Sequence, residues 1–103
     1  MFKQDLINAV NALKTYGVDQ EGKCRYAAGC VIGQLIPWLS YKLEADQHSY
    51  SASRVVNTVY PGSTMHALHV ANLVQQCHDK AFADRLPIED FKKEARSIIN
   101  EFL

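Results

Sequence analysis

Cysteine and histidine are the residue types of this 103-residue chain with the clearest chemistry, and four of them are candidate metal ligands. They are Cys24, Cys30, Cys77 and His78. Structural zinc takes four ligands, commonly as Cys or His pairs separated by two to four residues. Five residues separate Cys24 from Cys30, while Cys77 and His78 are adjacent, so their side chains would diverge on a helix. The spacing is not that of a zinc site, and the sequence predicts no metal or other cofactor.

A thiol nucleophile is the second chemistry that these residue types allow. A nucleophilic thiol needs a nearby base, and the base needs a polar group that orients it. Cys30 with His78 or His69 as the base, and with Asp79 as the orienting group, supplies the types. The local signatures of cysteine proteases, phosphate-binding loops and serine hydrolases do not occur. A small Cys/His-dependent enzyme or zinc-binding protein is therefore the alternative function rather than the first.

The composition is that of an ordinary globular domain, with 48% hydrophobic and 21% charged residues. Eleven basic and eleven acidic residues cancel, which argues against a nucleic-acid partner because such domains are usually strongly basic. A third function, a weak nucleic-acid-binding module, would rest on a small basic and aromatic surface of Lys23, Arg25, Tyr26 and Lys42. Acidic residues beside this segment weaken its electrostatic attraction for phosphates.

The cysteine count and the amphipathic start of the chain bear on the cellular compartment. Three cysteines form an odd set, whereas secreted disulfide scaffolds usually hold an even number. The segment MFKQDLINAV does not have the pattern of a signal peptide, and no apolar run approaches the roughly 20 residues that span a bilayer. We therefore expect free thiols in a reducing cytoplasm and no membrane partner.

Two helical segments are predicted in the first third of the chain. The first covers residues 2–16 and ends at Gly17, a residue type typical of helix C-termini. Its apolar stripe consists of Phe2, Leu6, Val10 and Leu13. The segment CRYAAGCVIGQLIP then predicts a short helix over 26–36, with a strand over 30–36 as the alternative. Gly29 and Gly33 would share one face of that helix and let another backbone approach closely.

Residues 38–62 are the least regular part of the pattern. Four large apolar residues are expected at the edge of the core: Trp38, Leu39, Tyr41 and Leu43. Ser51 or Ser53 is a candidate N-cap for a short helix that ends near residue 60, although the valines of this segment also favour a strand.

Two further helices follow. Ser63 or Thr64 is expected to cap the longest of them. Pro87 is expected in the first turn of the last, whose side facing water is predicted to hold Lys92, Lys93, Arg96 and Glu101. The sequence thus predicts an all-α fold, one domain over 1–103, with four or five helices and an irregular or short-strand region around 38–62.

The order of residues in two segments resembles a group of small uncharacterised proteins encoded by tailed bacteriophages. Members carry a segment of the type C-x-x-G-C-L-I-P and, further on, a helix with a leucine, a glutamine and then a His-Asp pair. The first counterpart here consists of Cys24, Gly29, Cys30, Ile32 and the Leu35–Pro37 ending. The second consists of Leu73, Gln75, Gln76, His78 and Asp79.

This resemblance implies a phage accessory protein in the cytoplasm of a bacterial host. Small phage accessory proteins commonly bind and block a host protein, including components of defence systems such as CRISPR effectors. The first functional hypothesis is therefore a non-catalytic inhibitor or modulator of a host or defence-system protein. Exposed aromatic side chains often anchor such contacts, and the candidates here are Trp38, Tyr41, Tyr50 and Tyr60. The sequence leaves the oligomeric state open.

Overall fold

Five α-helices and one short 3-10 helix follow one another in the computed structural model, which describes residues 2–18 and 25–103. The α-helices are α1 (Phe2–Ala12), α2 (Leu39–Gln47), α3 (Ala52–Val59), α4 (Met65–Ala83) and α5 (Ile88–Phe102). The 3-10 helix, Gly33–Leu35, lies between α1 and α2. The predicted all-α bundle of four or five helices is confirmed. Residues 38–62 contain α2 and α3 and no strand.

Side-chain caps fix where α3 and α4 begin. The Ser51 hydroxyl accepts a hydrogen bond from the Arg54 backbone N–H, and the Thr64 hydroxyl accepts one from Ala67 N–H. Each bond satisfies a backbone donor that the first turn of a helix leaves without a partner. Both residues are among the N-caps predicted from the sequence. Pro87 directly precedes α5.

The core is a cluster of buried apolar side chains centred on α4, which packs against α3 on one side and α5 on the other, while α1 packs on α5. Its fully buried members include Leu6 and Val10 of α1, Val55 and Val56 of α3, Val70 and Val74 of α4, and Phe91 and Ile99 of α5. The helical periodicity of the first segment predicts Leu6 and Val10 of this set. No helix of the described ranges is long and apolar enough to cross a membrane.

Lys92 corrects the predicted solvent face of α5. Its side chain is buried, and its ammonium group donates a hydrogen bond of 2.7 Å to the backbone carbonyl of Leu13. The carboxylate of Glu89, one turn earlier on α5, lies 3.6 Å from the same nitrogen. Lys92 therefore holds the segment that follows α1 instead of facing water.

Two predicted helices are wrong in extent. α1 ends at Ala12, four residues before the predicted end, and residues 26–36 do not form a continuous helix. That segment is a turn over 26–29 followed by the 3-10 helix. Val31, Ile32, Leu35 and Ile36 of this stretch are buried in the core, and its backbone also makes close contacts with two glycines.

The close backbone approach expected at Gly29 and Gly33 occurs at Gly33 and, in addition, at Gly17, whereas a Cβ atom on Gly29 would meet only the Gln34 side chain, at 3.2 Å. Gly17 has a φ of +65°, and a Cβ atom built on it would lie 2.4 Å from the backbone nitrogen of Cys30. A Cβ atom on Gly33 would lie 2.4 Å from the carbonyl oxygen of Tyr26. Real Cβ atoms do not approach backbone atoms so closely, so both contacts require glycine. The segment before α2 is thus pressed against the end of the α1 region.

α2 lies at the periphery and makes few contacts with the other helices. Ala45 is its one fully buried residue. The Asp46 carboxylate accepts hydrogen bonds from the backbone N–H groups of Tyr26, at 2.7 Å, and Ala27, at 3.0 Å. α2 is therefore held largely by the loop that precedes it.

Candidate functional site

The outer side of α2 exposes three large apolar side chains. Trp38, which immediately precedes the helix, is 54% exposed, Leu39 is 63% exposed and Leu43 is 54% exposed. Leu39 and Leu43 are four residues apart and so are neighbours on one helix face. We call these three residues the α2 patch. Single exposed apolar residues are common on proteins, whereas grouped ones are typical of interaction sites.

The opposite side of α2 is also apolar. Ala45 is fully buried, and Tyr41, one turn earlier, packs partly buried against the core. A helix with apolar residues on both sides is usually covered on both sides. Among residues 2–18 and 25–103, those that pack against α2 lie on its inner side. Leu39 and Leu43, which the sequence pattern places at the edge of the core, in fact face outward.

Of the four aromatic partner-binding candidates, Trp38 alone is mostly exposed. Tyr41 and Tyr50 lie together, with their ring centroids 6.2 Å apart. The Tyr50 ring also stacks against Arg54, whose guanidinium carbon lies 3.8 Å from the ring centroid. Tyr41 and Tyr50 therefore form part of the packing between the end of α2 and the start of α3.

Tyr60, the fourth aromatic candidate, contacts α1. Its hydroxyl donates a hydrogen bond of 2.7 Å to the Asp5 carboxylate, and its ring packs edge-on against Phe2 at 5.4 Å. Burial, the hydrogen bond and the nearby Asp5 charge raise the pKa of Tyr60 to about 12. The structure therefore does not gather the four aromatic candidates into one surface.

Leu39 and Leu43 are exposed residues that are not among the partner-binding candidates predicted from the sequence, because those candidates are all aromatic. The signal that identifies them is the pair of leucines one turn apart, on a helix whose other side already carries Tyr41 and Ala45.

The candidate metal ligands are distributed over separate places. Cys30 is buried in the loop before α2, whereas Cys77 is half-buried on the side of α4 that faces Glu94 of α5. Cys24 lies outside the described residues. The structure does not bring Cys30, Cys77 and His78 together, and in ranges 2–18 and 25–103 no group of three or more Cys, His, Asp or Glu residues could hold a metal ion.

His78 is fully buried, and its ring holds the chain after α1. Its Nε2–H donates to the backbone carbonyl of Tyr16 at 2.6 Å, because a carbonyl oxygen can only accept. Its Nδ1 lies 3.1 Å from the Asp79 carboxylate and 3.5 Å from the Gln75 amide nitrogen. The rings of Tyr16 and Phe91 pack edge-on against it, each at 5.3 Å. Both ring nitrogens are thus engaged, which leaves neither to act as a base.

The Cys30 thiol is held in its protonated form. Burial, chiefly, together with the negative charges of Asp46 and Asp79, raises the pKa of Cys30 to about 11, although backbone hydrogen bonds from Gly33 and Ile32 act in the opposite direction. A thiolate, not a thiol, is the nucleophile. Burial and the Glu94 charge likewise raise the pKa of Cys77 to about 11. Neither environment resembles that of an activated thiol.

The proposed basic and aromatic surface is partly engaged within the chain. Arg25 donates to the carbonyl oxygen of Asp46 at 3.4 Å, and the Tyr26 hydroxyl donates to the carbonyl oxygen of Tyr50 at 2.6 Å. Arg25 and Tyr26 also line a cavity with Asp46 and Asp79, which place negative charge beside them. Lys23 lies outside the described residues.

Comparison with known proteins adds no relative to these observations. No protein-family model matches the chain, and neither curated proteins nor solved structures give a significant match. The geometry of the molecule and the resemblance of its two short motifs are therefore the features that bear on its function.

Proposed function

We propose that this protein is a non-catalytic binding protein that attaches to a partner protein through the α2 patch. The observation that carries the proposal is the exposure of Trp38, Leu39 and Leu43 on a helix already buried on its other side. Full burial of one such side chain stabilises by roughly 1.5–3 kcal/mol. Three side chains left about half exposed therefore represent a few kcal/mol that a partner can recover.

The partner chemistry that fits is an apolar groove wide enough for one helix. Leu39 and Leu43 would enter it one turn apart, and Trp38 would lie at its rim, as in other complexes in which a helix occupies a groove. Tryptophan is among the residue types that most often dominate binding energy. The patch is small, so flanking contacts would have to complete a stable interface.

We further propose that the protein is phage-encoded and that its partner is a host or defence-system protein, which it inhibits or modulates. The two sequence motifs that resemble phage accessory proteins support this proposal. A CRISPR effector is one such partner. Inhibition by occupancy requires no catalytic group, which agrees with the protonated thiols and the engaged imidazole of His78.

The test is a capture experiment on three forms of the tagged protein, in nuclease-treated lysates of several bacterial hosts. The first is the natural chain, and the second carries Trp38→Ala, Leu39→Ser and Leu43→Ser. The third carries Met65→Ser, which removes an 82% exposed apolar side chain elsewhere. We expect one stoichiometric protein bound to the natural chain and to Met65→Ser, and at least a thirtyfold weaker Kd for the triple variant.

Circular dichroism checks that the triple variant keeps its helix content, as expected for exposed positions. Equal capture by all three forms would rule out the α2 patch. If no protein were captured from any lysate, the proposed binding function itself would be wrong. Mass spectrometry identifies the captured protein, and its activity is then assayed with and without the natural chain. Unchanged activity at saturation would contradict the inhibitor proposal.

A further inference from the structure

Three side chains of α4 form one hydrogen-bonded cluster beside the segment that follows α1. They are Gln75, His78 and Asp79, all members of the second sequence motif. One carboxylate oxygen of Asp79, Oδ1, lies 2.9 Å from the Gln75 amide nitrogen and 3.1 Å from His78 Nδ1. At the other edge of the ring, Nε2–H donates to the Tyr16 carbonyl at 2.6 Å. The cluster therefore joins α4 to the main chain after α1, at a place separate from the α2 patch.

The distances around the His78 ring indicate that both of its nitrogens carry hydrogen. The Tyr16 carbonyl and the Asp79 carboxylate can only accept, so each needs an N–H from the ring. An Nδ1 without hydrogen is itself an acceptor and would repel the carboxylate oxygen 3.1 Å away. Such a neutral ring needs a donor at Nδ1, and the Gln75 amide nitrogen lies farther off, at 3.5 Å. The observed arrangement thus fits the charged imidazolium.

A charged ring is compatible with this buried position because both of its N–H groups have acceptors. The ring is fully buried, and a buried charge is costly unless it is paired and hydrogen-bonded. Asp79 supplies the opposite charge, and its side chain is 55% exposed, so water still reaches the carboxylate. Loss of the Nδ1 proton would remove this pairing and leave the Gln75 amide as the available donor to Nδ1.

The surroundings of the ring in ranges 2–18 and 25–103 give His78 the central part in the pH response of this cluster. Among the side chains bonded to the ring or packed edge-on against it, Asp79 is charged, while Gln75, Phe91 and Tyr16 are not. The neighbouring elements add further titratable groups: Cys30, which interacts electrostatically with Asp46 and Asp79, Asp90, which acts on Tyr16, and Lys92, which is bonded to Leu13. The pKa of Cys30 is raised to about 11 and that of Tyr16 is raised above its ordinary 10.0, chiefly by burial, so neither group changes charge between pH 5 and 8.

We propose that His78 is a pH-sensitive link between α4 and the segment after α1. With both nitrogens protonated, the ring bridges the Tyr16 carbonyl and the Asp79 carboxylate. Without the Nδ1 proton it loses the Asp79 bond, and its remaining N–H is a weaker donor because the ring is neutral. A histidine that gains a carboxylate partner contributes most when protonated, so the link is complete at low pH and weakens as pH rises.

The neighbouring Gly17 provides a reporter of how firmly the segment is held. Its carbonyl oxygen accepts a hydrogen bond of 3.3 Å from the Arg25 backbone N–H. If the segment after α1 moves away from α4, this bond is lost and the Arg25 amide exchanges its hydrogen with water. Amide exchange at Arg25 therefore measures the link without depending on what the α2 patch binds.

The test is NMR of protein with isotope-labelled histidine, between pH 5 and pH 8. We expect the His78 ring to carry hydrogen on both nitrogens at pH 5 and on Nε2 alone at pH 8. Protection of the Arg25 amide, corrected for the intrinsic exchange rate at each pH, should fall at least tenfold over the same interval. A ring with one hydrogen throughout, or with two throughout, would overturn the proposal even if every variant failed to fold.

Three substitutions on α4 make the test specific. Asp79→Asn removes the charge at nearly constant size and should reduce the change in Arg25 protection to less than threefold. Asp84→Asn removes an exposed carboxylate at the end of the same helix, and His69→Gln removes an exposed histidine from it. Both controls should keep the tenfold change. An Asp79→Asn protein with the pH dependence of the natural chain, or a His69→Gln protein without it, would overturn the proposal.

Discussion

The α1–α4–α5 region and the α2 region use polar and apolar groups in opposite ways. In the first, three polar side chains hold the chain in and after α1. His78 and Lys92 donate hydrogen bonds to the backbone carbonyl oxygens of Tyr16 and Leu13. Tyr60, which follows α3, donates one to the Asp5 carboxylate. Two of these side chains, His78 and Lys92, are buried. In the second, Trp38, Leu39 and Leu43 are apolar and exposed.

This difference separates residues that maintain the fold from residues available for binding. A buried polar group is retained only if its partner is present, since losing the partner costs the full desolvation of that group. An exposed apolar group has no such partner within the chain. Substitution should therefore damage stability in the first region and recognition in the second.

The largest expected effect concerns the contact between the two regions. Gly17→Ala forces a Cβ atom to within 2.4 Å of the Cys30 backbone nitrogen, at a φ of +65°. We expect about 3–5 kcal/mol of destabilisation, since neither backbone segment can yield. Urea unfolding followed by circular dichroism measures it.

Gly62→Ala is the matched control for that substitution. Its φ is +82°, but a Cβ atom there meets nothing within 4 Å, so only the backbone strain applies. The expected cost is about 1–2 kcal/mol. If both variants lost the same free energy of unfolding, the close approach of Gly17 to Cys30 would contribute nothing to stability. The two regions would then not be joined at this contact.

A smaller effect is expected where α5 holds the end of α1. Lys92→Met keeps the length of the side chain but leaves the Leu13 carbonyl without its donor, which should cost about 1–2 kcal/mol. Lys93→Met, at the next and exposed position, should stay within about 0.5 kcal/mol. Chemical denaturation of both variants measures these changes. If Lys92→Met were as stable as Lys93→Met, the hydrogen bond from Lys92 to Leu13 would not contribute to stability, and Lys92 would be better described as a surface residue.

The smallest effect at neutral pH is expected for Tyr60→Phe, about 1 kcal/mol from the lost hydrogen bond to Asp5. The variant is more informative at high pH. Because the pKa of Tyr60 is raised from 10.0 to about 12 in the fold, its contribution is complete below pH 10 and declines as pH rises toward 12.

The measurement for Tyr60 is unfolding free energy against pH, from 8 to 12, in the natural chain and in Tyr60→Phe. We expect the difference in stability between them to shrink across the upper part of that range. A constant difference would show that Tyr60 is not paired with Asp5, and would leave it available as a binding residue.

The sequence predicts the helices whose packing is periodic and fails where packing depends on backbone contacts. The existence of α4 and α5 follows from the residue pattern. Residue type narrows the two caps to Ser51 or Ser53 and to Ser63 or Thr64, and the structure uses Ser51 and Thr64. The turn and 3-10 helix over 26–36 do not, because the decisive contact joins Gly17 to Cys30, thirteen positions away.

The candidate site can be predicted only in part from the sequence, because exposure depends on contacts with distant parts of the chain. Trp38 can be chosen as an exposed anchor by residue type, but the exposure of Leu39 and Leu43 depends on which side of α2 meets the core. The predicted exposure of Lys92 is wrong because a lysine on a helix usually faces water. Its burial requires the Leu13 carbonyl, supplied by a distant part of the chain.

The bonds made by His78 and Lys92 end on main-chain carbonyl oxygens, which every amino acid carries. The stretch after α1 is therefore held without regard to the identity of the exposed Lys14 that lies between the two attachment points. For protein engineering this position is a suitable attachment point. A cysteine placed there could carry a fluorophore or a surface linkage while α4 and α5 keep their hold on the backbone.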